Sequence, residues 1–104
     1  MNWKTNENKI LLQAILAIET EKEAKQFLRD LLTENEITEF AKRLQIAGLL
    51  LKKVSYSKIE ETTGFSSTTI ARVSQWLNKG EGGYKIIINK LHHHNSNRLG
   101  KGLS

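Results

Sequence analysis

Apolar residues recur along this chain at spacings of three and four positions, and this periodicity limits its fold more than any other feature. Such spacing places apolar side chains on one face of an α-helix, whereas a half-buried strand requires strict alternation of apolar and polar residues. No stretch sustains that alternation long enough to predict a strand. The sequence also contains no proline, the strongest breaker of helices. We therefore predict an all-α fold.

Two Thr-x-x-Glu motifs, Thr20 with Glu23 and Thr33 with Glu36, predict where two helices begin. In such a capping box the threonine hydroxyl accepts a hydrogen bond from the backbone N–H three residues later, and the glutamate reaches back to the threonine amide. The apolar stripes around these motifs predict three helices in the first half of the chain. Their apolar positions are Ile10, Leu11, Ala14, Ile15, Ala17 and Ile18 in the first, Ala24, Phe27, Leu28, Leu31 and Leu32 in the second, and Ile37, Phe40, Ala41, Leu44, Ala47 and Leu51 in the third.

The third predicted helix is apolar around much of its circumference near residues 48–51. A helix on the surface of a monomer needs only one apolar face. Two interpretations are open on this pattern. The helix is buried between the subunits of a homodimer, or it is the central helix of a monomeric bundle.

Length and composition set the class of protein. A chain of 104 residues is sized for one domain. It has no cysteine, which excludes disulfides and cysteine-based zinc sites. Neither a secretory signal nor a membrane-spanning apolar run is found, so we expect a cytoplasmic protein without a membrane partner. We divide it into a flexible N-terminus at residues 1–7, one domain at 8–91 and a disordered polar tail at 92–104.

Charge is distributed unevenly along the chain. Residues 1–41 carry five basic and eight acidic side chains, a balance of −3, and residues 42–104 carry eleven basic and three acidic ones, a balance of +8. A basic C-terminal part indicates a negatively charged partner. Nucleic acid and acidic membrane lipid are the two polyanions that this charge alone leaves open.

Residues 56–78 have the layout of a helix-turn-helix, with a short first helix, a tight turn and a second helix. Gly64 supplies the turn, because glycine adopts a positive φ at little cost. Ile59, Ile70 and Val73 are spaced to pack the two helices against each other. A short helix, a glycine turn and a capped helix also occur in other helical bundles, so the pattern leaves that alternative open.

The ends of these helices are marked by local signals. Ser55 or Ser57 caps the first helix, and the second has several N-cap candidates at residues 66–69. Glycines at positions 80, 82 and 83 end the second helix near Leu77 or Asn78. A last helix is predicted from Tyr84 to about Leu91.

The second helix carries the side chains suited to reading DNA. A helix in the major groove meets the bases with its N-terminal residues. The residues there are small or polar, and no carboxylate occurs between Phe65 and Gly80. Lys58, on the first helix, and Lys52 and Lys53 just before it are placed to hold the phosphate backbone. The predicted DNA-binding residues are Lys58, Ser66, Ser67, Thr68, Thr69, Ala71, Arg72 and Gln75.

These motifs together resemble the tryptophan repressor superfamily. The resemblance is carried by LLTENEITEFAKRLQIAGLLLKKVSYSKIEETTGFSSTTIARVSQWLNKGEGGY and extends over roughly residues 8–91. The chain is most similar to the YerC/YecD branch of Trp-repressor-like bacterial proteins. The resemblance implies a helical bundle whose N-terminal helices intertwine with those of a second subunit. Two helix-turn-helix heads then face successive major grooves of DNA.

The resemblance also implies a position for a small effector. The tryptophan repressor holds tryptophan between two arginines, with a threonine and a serine nearby. In this sequence the arginines correspond to Arg43 and Arg72 and the threonine to Thr69, whereas Trp76 replaces the serine and Val73 replaces a glycine that leaves space for the ligand. Trp76 is placed to occupy part of that space. We therefore expect that tryptophan is not the corepressor, and the identity of any other effector is open.

For Arg43 and Arg72 a salt bridge or a phosphate contact is the favoured interpretation. His92, His93 and His94 are interpreted as part of the polar tail and not as a metal site. No arrangement of catalytic residues is found, so we expect no enzymatic activity and no cofactor.

The sequence thus predicts a sequence-specific regulator of transcription, a repressor, that binds a palindromic operator in double-stranded DNA as a homodimer. The alternative is a non-enzymatic helical module that binds a protein partner, or binds nucleic acid as nucleoid proteins do.

Overall fold

A computed structural model describes the backbone of residues 1–103 and the side chains of residues 1–93. It contains six α-helices and, within these residues, no strand, which confirms the all-α prediction. The helices are α1 (Asn6–Ala17), α2 (Glu21–Leu31), α3 (Glu34–Leu51), α4 (Tyr56–Thr63), α5 (Ser67–Lys79) and α6 (Gly83–Leu103). The chain divides into two compact units, residues 1–38 and 39–104. In the described part, no helix combines the length and hydropathy required to cross a membrane.

The first unit shows the capping that the sequence predicts. At the start of α3, Glu36 N–H donates to Thr33 Oγ1 at 3.1 Å and Thr33 N–H donates to the Glu36 carboxylate at 2.9 Å. At the start of α2, Glu23 N–H donates to Thr20 Oγ1 at 3.1 Å. The Glu23 carboxylate, however, accepts from the Glu19 amide at 3.0 Å and not from the Thr20 amide, as the motif predicted. Both amides precede the first helical residue, so either can take the carboxylate.

Helices α1 and α2 have no buried residue. They are 12 and 11 residues long, and isolated helices shorter than about 12–15 residues are marginal in water. Large apolar side chains stand exposed on both: Ile10, Leu11, Leu12, Ile15, Leu16, Leu28 and Leu31. In the single chain, most of the apolar surface of α1 and α2 is therefore exposed to solvent, although helices this short need its burial for stability.

The second unit contains the hydrophobic core. The buried residues are Ile46 and Ala47 of α3, Ile59 of α4, Ile70, Val73 and Leu77 of α5, and Ile88 of α6. Leu49, Leu50 and Leu51 are half-buried and pack against this core. The apolar circumference of α3 near residues 48–51 therefore has an explanation within one chain. This favours the central-helix interpretation for that segment.

The turn between α4 and α5 is built as predicted. Gly64 ends α4 with φ +75° and ψ 6°, and its N–H donates to the Glu60 carbonyl at 2.9 Å. Ile59, Ile70 and Val73 are buried together, which confirms their predicted packing between α4 and α5. Phe65 is half-buried against the same core.

The end of α3 has the hydrogen bonds of a Schellman motif. Val54 N–H donates to the Leu49 carbonyl at 3.1 Å and Lys53 N–H to the Leu50 carbonyl at 2.9 Å. Lys53 adopts φ +66° and is the one non-glycine residue with positive φ in the described chain. Glycine is the usual residue at this position of the motif.

Two terminal assignments stay predictions. Helix α1 begins at Asn6, inside the segment 1–7 that we predict to be flexible. Helix α6 continues to Leu103, beyond the predicted end near Leu91. From residue 94 onward the side chains lie outside the described residues, and so does most of the predicted polar tail at 92–104.

Replacing Gly64 tests the left-handed turn. A Cβ at this position would meet no atom within 4 Å, so any cost of Gly64→Ala comes from the backbone and not from a clash. A non-glycine residue in this conformation costs roughly 1–2 kcal/mol, and asparagine tolerates it better. We expect Gly64→Ala to lower the free energy of unfolding in urea by about that amount and Gly64→Asn to lower it less. Equal stability of Gly64→Ala and the wild type would contradict the turn geometry.

Candidate nucleic-acid interface

Serine hydroxyls cap the N-termini of both helices of the helix-turn-helix. Ser55 Oγ accepts from the Lys58 N–H at 3.2 Å, and Ser66 Oγ accepts from the Thr69 N–H at 3.2 Å. The Ser66 and Thr69 hydroxyl oxygens are also 2.9 Å apart. These bonds set where α5 begins, because they satisfy an amide that has no partner inside the helix.

One face of α5 presents predicted recognition residues to solvent. Thr68, Ala71, Arg72 and Gln75 are exposed and lie three, four and seven positions apart, which places them on one side of the helix. Ser67, the first residue of α5, is also exposed. No carboxylate occurs in residues 66–79, so this surface carries no charge that would repel phosphate.

The other predicted residues are placed differently. Ser66 is exposed but is engaged as the N-cap, and Thr69 is half-buried with its hydroxyl bonded to Ser66. The hydrogen bonds at the start of α5 are a sufficient structural role for Ser66 and Thr69, and a contact of either residue with DNA stays a prediction. Lys58 lies in the first turn of α4 with its Nζ 4.0 Å from the Glu61 carboxylate, and both side chains are mostly exposed. Such a pair contributes little to stability and leaves the ammonium group accessible.

A small cavity of about 160 Å³ brings the four predicted effector residues together. It is lined by Glu39, Arg43, Thr69, Arg72, Val73, Trp76 and Tyr84. Thr69, Arg72 and Trp76 follow one another at spacings of three and four, so they lie on one side of α5. Arg72 belongs both to this side and to the exposed recognition face. Trp76 lines the cavity and leaves 59% of its side chain exposed.

Sequence reasoning missed two residues of this cavity, Glu39 and Tyr84. Glu39 lies one helical turn before Arg43 on α3, a spacing that could have indicated it. Tyr84 comes from α6, and no local pattern relates it to α5. The Glu39 carboxylate is 3.5 Å from Lys42 Nζ, which itself lies 5.3 Å from the centre of the Phe65 ring. Lys42 thereby connects the cavity wall with the turn of the helix-turn-helix.

Where side chains are described, the two arginines of the cavity, Arg43 and Arg72, do not form the salt bridges that were one of their two favoured interpretations. The ion pairs found among the described residues are Lys25–Glu21, Arg29–Glu34, Lys42–Glu39 and Lys58–Glu61. Within this part of the chain, the salt-bridge interpretation of Arg43 and Arg72 is therefore not realised. The Arg43 guanidinium instead lies over the Phe40 ring at 5.5 Å, a cation–π arrangement. Contact with DNA, at a phosphate or at a base edge, stays the prediction for Arg72.

Among the described residues, no group of three His, Asp or Glu side chains is arranged to hold a metal ion. His94 of the predicted tail lies outside the residues with described side chains.

Comparison with known proteins agrees with this architecture. A family model described as Trp repressor protein matches residues 6–92. The uncharacterized protein YerC from Bacillus subtilis (strain 168) is 38% identical over 81 residues, 78% of each chain. The solved structure of a TrpR like protein from Eubacterium eligens ATCC 27750 aligns with a TM-score of 0.81 and 38% identity, over 86% of this chain and 93% of that chain. The structure of a candidate Trp repressor from Staphylococcus aureus aligns with a TM-score of 0.81 and 34% identity, over 88% and 95%. The all-helical chain, with its helix-turn-helix and two cavity arginines, therefore belongs to the Trp repressor protein family.

Proposed function

We propose that this chain is a transcriptional repressor that binds operator DNA through α4 and α5. The observation that carries the proposal is the exposed, acid-free face of α5 with Thr68, Ala71, Arg72 and Gln75. Small side chains let a helix backbone approach the floor of the major groove, and the absence of carboxylates avoids repulsion by phosphates. Membership in the Trp repressor family supports the same function.

Each exposed residue has a role that fits its chemistry. The Arg72 guanidinium suits a bidentate contact with guanine, and the Gln75 amide suits adenine. The methyl groups of Thr68 and Ala71 suit contact with the methyl group of thymine. Ser67 and Lys58 suit phosphate oxygens, which position the protein without reading sequence.

We propose that the active species is a homodimer. The support comes from α1 and α2, which have no buried residue and expose large apolar side chains such as Ile10 and Ile15. A second copy that covers these faces would supply the tertiary packing that such short helices need. Two heads related by a two-fold axis would read a palindromic operator with half-sites about one helical turn apart. Such a regulator would act in the cytoplasm.

We also propose that the repressor does not use tryptophan as its corepressor. The cavity beside Arg43 and Arg72 has a volume of about 160 Å³. A protein cavity of about 150 Å³ accommodates benzene, and tryptophan has more than twice as many non-hydrogen atoms. Val73 and Trp76 line this cavity and add bulk where a smaller residue would leave room.

Selection of random duplex DNA by the purified protein tests the function. We expect a two-fold symmetric consensus without added ligand. On the selected operator, Arg72→Ala should weaken binding roughly 5- to 150-fold, because a bidentate base contact is worth about 1–3 kcal/mol. Lys79→Ala is the matched control, since it removes the same charge from the last turn of α5.

Equal losses in the two variants would indicate binding by charge alone, as in a nucleoid-type protein. Failure to enrich any sequence, with no affinity for duplex DNA, would favour the helical protein-interaction module.

Light scattering coupled to size exclusion tests the dimer. Ile15 is half exposed in the single chain and lies outside the core formed by α3–α6, so Ile15→Glu should leave that core intact and shift the protein toward a monomer. Gln13→Glu adds the same charge to an exposed polar position of α1 and should remain dimeric. A wild-type protein that is monomeric at micromolar concentration would refute the dimer.

Calorimetric titration tests the corepressor. We expect no binding of L-tryptophan to the wild type and no effect of tryptophan on operator affinity. Trp76→Ser enlarges the cavity and should increase affinity for tryptophan, whereas Trp3→Ser, which removes the other tryptophan of the chain, should not. Tighter operator binding by the wild type in the presence of tryptophan would overturn this expectation.

A further inference from the structure

The turn between α3 and α4 exposes two consecutive lysines, Lys52 and Lys53, beside the helix-turn-helix. Residues 40–59 contain five cationic side chains and no carboxylate. Lys42 and Lys58 pair with Glu39 and Glu61 outside this stretch, whereas the ion pairs among the described residues do not include Lys52 or Lys53. Lys58 is also exposed within the same stretch. Lys52 and Lys53 therefore place two positive charges directly before α4 that no ion pair among the described residues offsets.

The backbone of this turn is closed by two hydrogen bonds and packs against the core. Lys53 N–H donates to the Leu50 carbonyl, and Val54 N–H donates to the Leu49 carbonyl. Val54 and Leu49 both pack against the core that contains Ile59. The Cα of Lys53 thus has a defined position relative to α4, and only its side chain is free to adjust to a ligand.

Lysine is an unfavourable residue at this position for stability. Its φ of +66° is in the left-handed region, where a Cβ is crowded by the following carbonyl and glycine is preferred. The exposed side chain has no core contact that would offset this strain. Folding alone gives no reason to have lysine there, whereas contact with a polyanion does.

We infer that Lys53, together with Lys52, is a further DNA-contacting element that binds the phosphate backbone next to the groove occupied by α5. This assignment rests on the proposed DNA-binding function and adds to it an anchor outside the helix-turn-helix. Such a contact is independent of base sequence, because phosphates present the same oxygens at every step. Part of the binding free energy then comes from the counterions that the DNA releases when the lysine neutralises a phosphate.

The test combines stability with the salt dependence of DNA binding. Lys53→Gly should raise the melting temperature by a few degrees, because the strain is relieved. It should lower affinity for the operator and for an unrelated duplex by the same factor. The slope of log K against log salt should become shallower by about 0.9 for each bound protomer, the value for one lost phosphate contact.

Three further variants separate charge from conformation. Lys53→Asn tolerates the left-handed backbone without the charge and should bind like Lys53→Gly. Lys53→Arg keeps both charge and strain and should bind like the wild type. Lys25→Asn removes one charge from α2, where Lys25 pairs with Glu21, and should leave the salt slope unchanged.

The outcomes are distinct. A Lys53→Gly protein that is more stable but has the affinity and salt slope of the wild type would refute the phosphate contact of Lys53. The proposed DNA-binding function would still stand. A fall in its melting temperature would show that the lysine stabilises the fold and would overturn the argument from strain. An equal change of the salt slope in Lys25→Asn would show that the slope depends on the net charge of the protein and not on a contact made by Lys53. Absence of duplex binding by the wild type would instead overturn the proposed function, and this assignment with it.

Discussion

The packing of Ile59 against Ile70 and Val73 is the contact on which the candidate interface depends. It joins α4 to α5, and Gly64 favours it by turning the chain in a left-handed conformation that other residues adopt at a cost. Ile46 and Ala47 of α3 complete the same core, so the pair of helices is supported from a third element. The exposed face of α5 is thus presented by a helix whose opposite side is buried.

Stability and binding place different requirements on this unit. The core contains only apolar side chains among the described residues, and nothing in it dictates what α5 presents to solvent. The absence of carboxylates from residues 66–79 has no advantage for packing, and Lys53 stands where glycine would fit the backbone better. Trp76 leaves 59% of a large aromatic side chain in water. These departures from what stability favours lie on the surface of the unit that contains the helix-turn-helix.

Local signals predicted most of the architecture because they act within a few residues of the chain. The capping box of Thr33 and Glu36 forms as expected, since each side chain bonds an amide three residues away. For α4 and α5 the structure selects Ser55 and Ser66 from the several N-cap candidates that the sequence offered. The box at Thr20 differs by one position, because two unsatisfied amides compete for the Glu23 carboxylate. The apolar circumference near residues 48–51 was ambiguous, since periodicity shows that a surface is buried and not what buries it.

The sequence by itself determined the helical class, the approximate extent of the helix-turn-helix and the acid-free character of α5, because these follow from periodicity, capping, turn chemistry and composition. Only the tertiary structure decided that Glu39 and Tyr84 join Arg43 and Arg72 around one small cavity, that Leu49, Leu50 and Leu51 pack within their own chain, and that Lys53 is held in a left-handed conformation. These features depend on contacts between helices distant in sequence, or on how the end of one helix is closed. Apart from the helical spacing of Glu39 and Arg43, no pattern of neighbouring residues records such contacts.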